Sequence, residues 1–408
     1  MLNSLKMFRS LFTAVFIFVL ANSFLNTLLS ARMACEGYAV ITTGIVLSSY
    51  YTGLMAGAFI CRRLVGRIGH IRAFTTFAAI MTAATLLYGL SISPWFWGLL
   101  RFAGGIATFG LFVVVESWLN ECSAVRYRGK VFAVYMILTC MATGLGQQLL
   151  NLGSIEGPKL FVVAAIVFSF CLVPISLTRG GHPNLPENKP YRLVAIFRKA
   201  PLGMFGCLAA GLANSSFYSM TPVLCTDIGL SPHQLSWIMS LTLFSGLAAQ
   251  WLVGALSDRF DRSIVLSAIA AVLAAVSGVM LLNGVTSFGK LAVEMGLFGA
   301  PAFAVYPLSV ARAHDIFGGK DILAASAGLL FAYSIGASLS PLLASAVMDL
   351  FHSPVGLFAF WGGTGSGLAM VVLYLRNHEK VHPARLKDQV FFLPVKSTSV
   401  EPGLQPEG

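Results

Sequence analysis

The sequence predicts an all-α integral membrane protein with twelve transmembrane helices arranged as two six-helix halves. Three observations predict it. Of 408 residues, 57% are hydrophobic and only 11% are charged, where a soluble domain carries about 25% charged residues. The apolar residues gather into runs of about the 20 residues that a helix needs to cross hydrocarbon. Matching features also recur 192 residues apart, in Arg67 and Arg259, Gly144 and Gly336, and Arg128 and Lys320. Such recurrence points to duplication of a six-span unit, and parallel repeats with a site between them suit a secondary transporter.

The first apolar run, 10–29, follows Lys6 and Arg9. A signal peptide shares that basic start, but this core is long and carries Asn22 and Asn26 near its end, so it is read as a retained first span. Spans two and three, 38–60 and 73–92, flank the arginine-rich segment CRRLVGRIGHIR. The turn SISP leads to span four, 96–119, followed by spans five and six at 131–152 and 160–177. The longest polar interruption then separates the halves. The second half has spans at 202–224, 234–256, 263–284, 289–311, 322–348 and 355–375. The organisation read from this is an N-terminal half (1–177), a cytoplasmic linker (178–200), a C-terminal half (201–375) and a disordered cytoplasmic tail (376–408). The tail is polar, contains proline and lacks helical periodicity.

Charge placement sets the expected orientation. With both termini cytoplasmic, 23 of the 27 lysines and arginines fall on the inner side, and only Arg32, Lys159 and Lys290 fall outside, as the positive-inside rule requires. The net charge of +11 is therefore a topology signal. No basic patch interleaved with aromatics points to nucleic acid. The seven cysteines have no metal-ligand spacing and are read as small packed hydrophobes. No cofactor, phosphate-binding loop or nucleophile motif is expected, so the chain is not read as an enzyme.

The motifs at the span ends carry a family resemblance. The segment after span eight offers Gly254, Asp258, Arg259 and Arg262, with Asp261 where a second glycine is expected. After span two, Arg67 and Gly69 remain, Arg62 stands for the first glycine, Gly66 for the aspartate, and His70 for an arginine. Span four carries Arg101 and Gly105, then ESWLN from Glu116 to Asn120, and then Arg128, Gly129 and Lys130. In these motifs the chain resembles the major facilitator superfamily, and within it the bacterial YcaD-type branch. The resemblance implies the MFS fold, with inverted repeats inside each half, in the bacterial inner membrane. It also implies a cytoplasmic latch at Arg67, Gly69, Arg72, Arg128, Gly254, Asp258, Arg259 and Arg262. The missing aspartate places the latch of the first half in question.

The same resemblance implies that spans one, four, seven and ten line a central cavity. Asn22 and Asn26 share a helical face and are read either as solute contacts or as helix-to-helix glue. Asn214, Tyr218 and Tyr306 are further cavity candidates. Arg101, roughly 8 Å inside the outer end of span four, either snorkels to the surface or serves gating and proton coupling. Glu116, about 22 Å further along, is either a proton carrier or a structural partner of Arg67 or Arg72. Glu294 is expected to pair with Lys290 one turn earlier. Gln147, Gln148 and Gln250 are read as helix bridges. The function expected is alternating-access, proton-coupled transport of a small organic solute by a monomer in contact with membrane lipid. The alternatives are an exporter of lipophilic compounds and a non-transporting sensor or scaffold.

Overall fold

The structure, a computed structural model, describes residues 8–123, 125–177, 193–317 and 322–378. All regular elements among them are helices. The first four, α1 (Arg9–Cys35), α2 (Val40–Ile68), α3 (His70–Leu90) and α4 (Pro94–Cys122), are joined by very short connections. The fifth, α5 (Val125–Gly146), tightens into a 3-10 helix over Gln147–Leu152. Then come α6 (Lys159–Phe170) and α7 (Leu172–Ser176), two pieces of one span, and α8 (Leu193–Lys199), a short helix inside the expected linker. The remaining helices are α9 (Pro201–Asp227), α10 (Pro232–Arg259), α11 (Arg262–Asn283), α12 (Phe288–His314), α13 (Ile322–Leu350) and α14 (Gly356–His378). Of the tail expected to be disordered, 376–408, residues 376–378 are instead the last turn of α14, and residues 379–408 lie outside the described residues.

Among the described residues, eleven helices are both long enough and apolar enough to span a membrane, one fewer than expected. The shortfall is at α9, which is 27 residues long and occupies the expected seventh position. Its middle carries Asn214, Ser215, Ser216, Tyr218 and Ser219, and that polar run lowers its apolar character.

The chain divides into two compact units, Met1–Glu187 with Cys225–Ser240, and Asn188–Leu224 with Leu241–Gly408. In the first unit α2 packs extensively on α4, and in the second α11 packs extensively on α14. Small residues make the helix crossings possible. A Cβ on Gly105 would lie 2.1 Å from the Tyr50 carbonyl oxygen, and one on Gly53 would lie 2.1 Å from that of Phe102. Only glycine lets α2 and α4 approach this closely.

Equivalent crossings reveal the internal repeat. Gly105 meets the Tyr50 carbonyl as Gly299 meets that of Thr242; Gly146 meets Leu20 as Gly336 meets Leu208. The offset is therefore 192 for α2 and α10 but 194 for α4 and α12, 190 for α5 and α13, and 188 for α1 and α9. A second contact supports the last value: the Ser23 hydroxyl donates to the Thr143 carbonyl, and Gly211 packs on the carbonyl of Tyr333. The pairing of Gly144 with Gly336 is thus corrected to Gly146 with Gly336. Lys320 lies outside the described residues.

The junctions at the basic ends of α2 and α10 are made differently. Gly69 turns the chain with φ of +82°, a conformation suited to glycine. Asp261 at the same offset keeps an ordinary φ and caps α11, its carboxylate accepting from the Ser263 amide at 2.7 Å.

Candidate functional site

A polar cluster inside the first unit is built by α1, α2 and α4. Asn22 and Asn26, one turn apart on α1, are both half-buried. The Asn22 side-chain amide donates to the Tyr50 hydroxyl at 3.1 Å. Arg101, only 3% exposed, donates from Nη1 to Asn26 Oδ1 at 2.5 Å, and its guanidinium carbon lies 4.3 Å from the centre of the Tyr50 ring. The snorkelling expected as one role for Arg101 is therefore corrected. Two turns into α4, the side chain stays inside the bundle because an amide oxygen and an aromatic face receive it. Sequence reasoning missed Tyr50, whose ring reads as one more apolar residue in span two.

Further along α4, Glu116 is 6% exposed and accepts from the Tyr135 hydroxyl of α5 at 3.0 Å. Its charge also acts on Arg62 of α2. The expected partners, Arg67 and Arg72, are exposed and do not pair with it. Arg62 thus gains a role: at the offset for α2 and α10 its counterpart is Gly254, while Glu116 corresponds to Val310 of α12, so this acid and base are peculiar to the first unit.

The second unit carries the charged junction. Arg262 is fully buried at the start of α11. Its Nη1 donates to Asp315 at 2.6 Å and to the Ala311 carbonyl at 3.1 Å, while Nη2 donates to Asp258 at 3.3 Å. Asp315, just past α12, was missed because it follows the apolar run. In the first unit His70 takes the place of Arg262, its Nε2 lying 2.8 Å from the Ser117 hydroxyl. Gly66 takes the place of Asp258. Arg259 is exposed like Arg67, and the side chain of Arg128 lies outside the described residues.

The other candidates are not gathered into one cluster. Asn214 and Tyr218 share a face of α9. Asn214 is 5% exposed, and its Oδ1 is buried with no hydrogen-bond partner among the described residues. Tyr218 packs against Phe303 at 5.9 Å, and Tyr306 packs edge-on to Tyr333 at 5.1 Å. Ser216 is taken up by the Trp361 indole at 2.9 Å. The glutamines bridge helices: Gln147 donates to Ser23, Gln148 to Ser240 at 2.8 Å, and Gln250 to the Phe303 carbonyl at 3.4 Å. Glu294 does not pair with Lys290 and instead accepts from the Asn283 amide at 2.9 Å. That bond closes the α11–α12 turn, one helix end reaching the other.

Long apolar helices in two repeated units, with polar side chains held among the helices of each unit, define a polytopic helical membrane protein of transporter architecture. The chain belongs to the major facilitator superfamily, whose family model matches residues 11–231 and 204–402. An MFS-type transporter of Yersinia pestis (strain Pestoides F) is 26% identical over 374 residues, covering 91% of this chain and 96% of the relative. The MFS-type transporter YcaD of Shigella flexneri serotype 5b (strain 8401) is 29% identical over 345 residues, covering 84% and 88% respectively. The resemblance to the YcaD-type branch therefore holds. Among solved structures, the nucleoside transporter NupG is similar with a TM-score of 0.74 at 14% identity, over 92% of this chain and 100% of that one. A bacterial homologue of the lysosomal transporter Spinster, inward-facing and occupied, is similar with a TM-score of 0.71 at 14% identity, over 95% and 98%. At these identities the likeness is one of fold.

Proposed function

We propose that the protein is a secondary active transporter that moves a small organic solute by alternating access and couples the movement to protons. Family membership supports transport in general. The observation that carries the finer reading is on α4, which holds a buried carboxyl, Glu116, against the Tyr135 hydroxyl and a buried cation, Arg101, against Asn26. A carboxyl in such a setting is suited to exchange protons, and a polar cluster in an apolar bundle is suited to bind solute. The halves 1–177 and 201–375 would be the two moving parts of alternating access, with the junctions at Gly69 and at Asp258, Arg259 and Arg262 serving as the inner latch. The NupG, Spinster-homologue and Escherichia coli fucose:proton symporter structures share this fold, which supports small-solute transport as a class.

The distribution of lysine and arginine supports a bacterial inner-membrane location with both termini cytoplasmic. A second reading, export of a lipophilic compound, is favoured by the neutral aromatic set Phe217, Tyr218, Phe303, Tyr306 and Tyr333 in the second unit. The test is solute flux into proteoliposomes under an imposed pH gradient, wild type against Glu116→Gln. Proton-driven accumulation lost in the variant, with exchange of solute retained, is the expected result. Equal accumulation by both proteins would rule out Glu116 as the proton carrier.

A further inference from the structure

Arg101 sits inside the bundle with its charge unmatched. Among the described residues no carboxylate reaches it: its surroundings are Asn26 Oδ1, a neutral acceptor, and the face of the Tyr50 ring. Its Nε is buried and makes no hydrogen bond. A guanidinium offers five N–H donors in a planar fork, and only the Nη1 bond to Asn26 is made. Burying a charge without a counter-ion is costly, and the usual remedy is a carboxylate bound through two parallel N–H···O bonds.

The positions around Arg101 fit such a guest. Asn22 and Asn26 are only half-buried, so the polar row that meets Arg101 is not wholly enclosed by the bundle. The Arg101 bond uses the Asn26 oxygen and neither of its amide hydrogens. The Tyr50 hydroxyl completes the row through Asn22. The second unit supplies no further charge at the equivalent places. By the offsets read from the helix crossings, Tyr50 corresponds to Thr242, Asn26 to Asn214, and Arg101 to Met295. One unpaired cation calls for one negative charge.

From this arrangement we infer that the solute is an organic monocarboxylate whose carboxylate is received by Arg101, with Asn26 and Tyr50 as flanking groups. The inference names the substrate class for the transporter proposed above and rests on that reading. The guest's carboxylate takes the free edge of the guanidinium, Asn26 donates from its amide, and the Tyr50 ring holds the cation in place. Monoanions are favoured over neutral isosteres because the buried arginine remains uncompensated when a neutral group binds.

The test uses the purified full-length chain. Thermal-shift titrations with butyrate, benzoate and lactate are each compared with the corresponding amide. At least one acid is expected to stabilise the protein saturably while its amide does not. Arg101→Gln should weaken that binding by about ten- to hundredfold, the loss associated with one charged hydrogen-bond partner. Because Arg101→Gln can also impair folding, Asn26→Asp provides the second variant. It places a tethered carboxylate beside Arg101, so the unliganded protein should melt higher and acid binding should vanish. Amides that bind wild type as well as the acids, or acid binding that survives in Asn26→Asp, would overturn the inference. Proteoliposome flux separates the two proposals. Acid binding with no flux upholds the carboxylate site and counts against transport. Flux of a neutral solute that no acid competes with upholds transport and overturns the carboxylate site.

Discussion

His70 and Arg262 begin equivalent helices in the two units, and each buries its side chain against the far end of the next helix: His70 on Ser117 of α4, Arg262 on Ala311 of α12 and on Asp315 just past it. One junction carries a histidine–hydroxyl hydrogen bond and the other a buried ion pair. Removing one member of a buried pair leaves an unpaired charge, which costs about 3–5 kcal/mol. Asp315→Asn should therefore lower the melting temperature far more than His70→Ala, whose lost bond is worth about 1 kcal/mol. Thermal denaturation of both variants in the same detergent checks the order.

Tyr135 donates to Glu116, so Tyr135→Phe removes one hydrogen bond and keeps the ring. If Glu116 carries protons, this variant should move the pH at which transport is half-maximal while solute affinity stays within about threefold of wild type. A pH profile of flux and a binding isotherm measured side by side test this. An unchanged profile would count against Tyr135 acting on the carrier.

Gly105 and Gly278 make a matched pair for packing. A methyl group at Gly105 meets the Tyr50 carbonyl at 2.1 Å, whereas at Gly278 of α11 it meets nothing within 4 Å. Gly105→Ala should destabilise by at least the roughly 1–3 kcal/mol typical of an overpacked core. Gly278→Ala should be neutral or stabilising by up to about 1 kcal/mol, since alanine is the better helix former. Melting temperatures of the two variants decide it.

The cysteines report orientation. Cys35, at the far end of α1 from Arg9, is exposed, while Cys61, Cys171, Cys207 and Cys225 are buried. A membrane-impermeant maleimide applied to intact cells should label a variant that keeps only Cys35 if that end faces outward. Labelling only after the cells are opened would reverse the proposed topology.

Most of the helices were legible in the sequence because apolar runs and their basic ends are long-range statistical features, insensitive to detail. Departures came where one side chain changed the balance. The polar middle of α9 interrupts its apolar run while leaving its length intact. The repeat was visible at Arg67 and Arg259, but a single offset could not hold when loops between the helices differ in length. The site was partly legible. Asn22, Asn26 and Arg101 do share a cluster, since helical spacing fixes a face. Tyr50, Tyr135 and Asp315 escaped notice because partners across helices depend on helix rotation, which periodicity does not give. Glu116 stands out in the sequence, whereas its basic neighbour Arg62 shows there only as a missing glycine.

The offset of 188 between α1 and α9 makes Asn214 the counterpart of Asn26, and its side-chain oxygen accepts nothing among the described residues. Where the first unit answers that asparagine with an arginine, the second has Met295. The molecule thus keeps both halves of an old symmetry in its backbone and only one half in its chemistry. Duplication therefore fixes where helices cross but not which side chains the crossings carry, so one unit holds a buried cation that the other does not match.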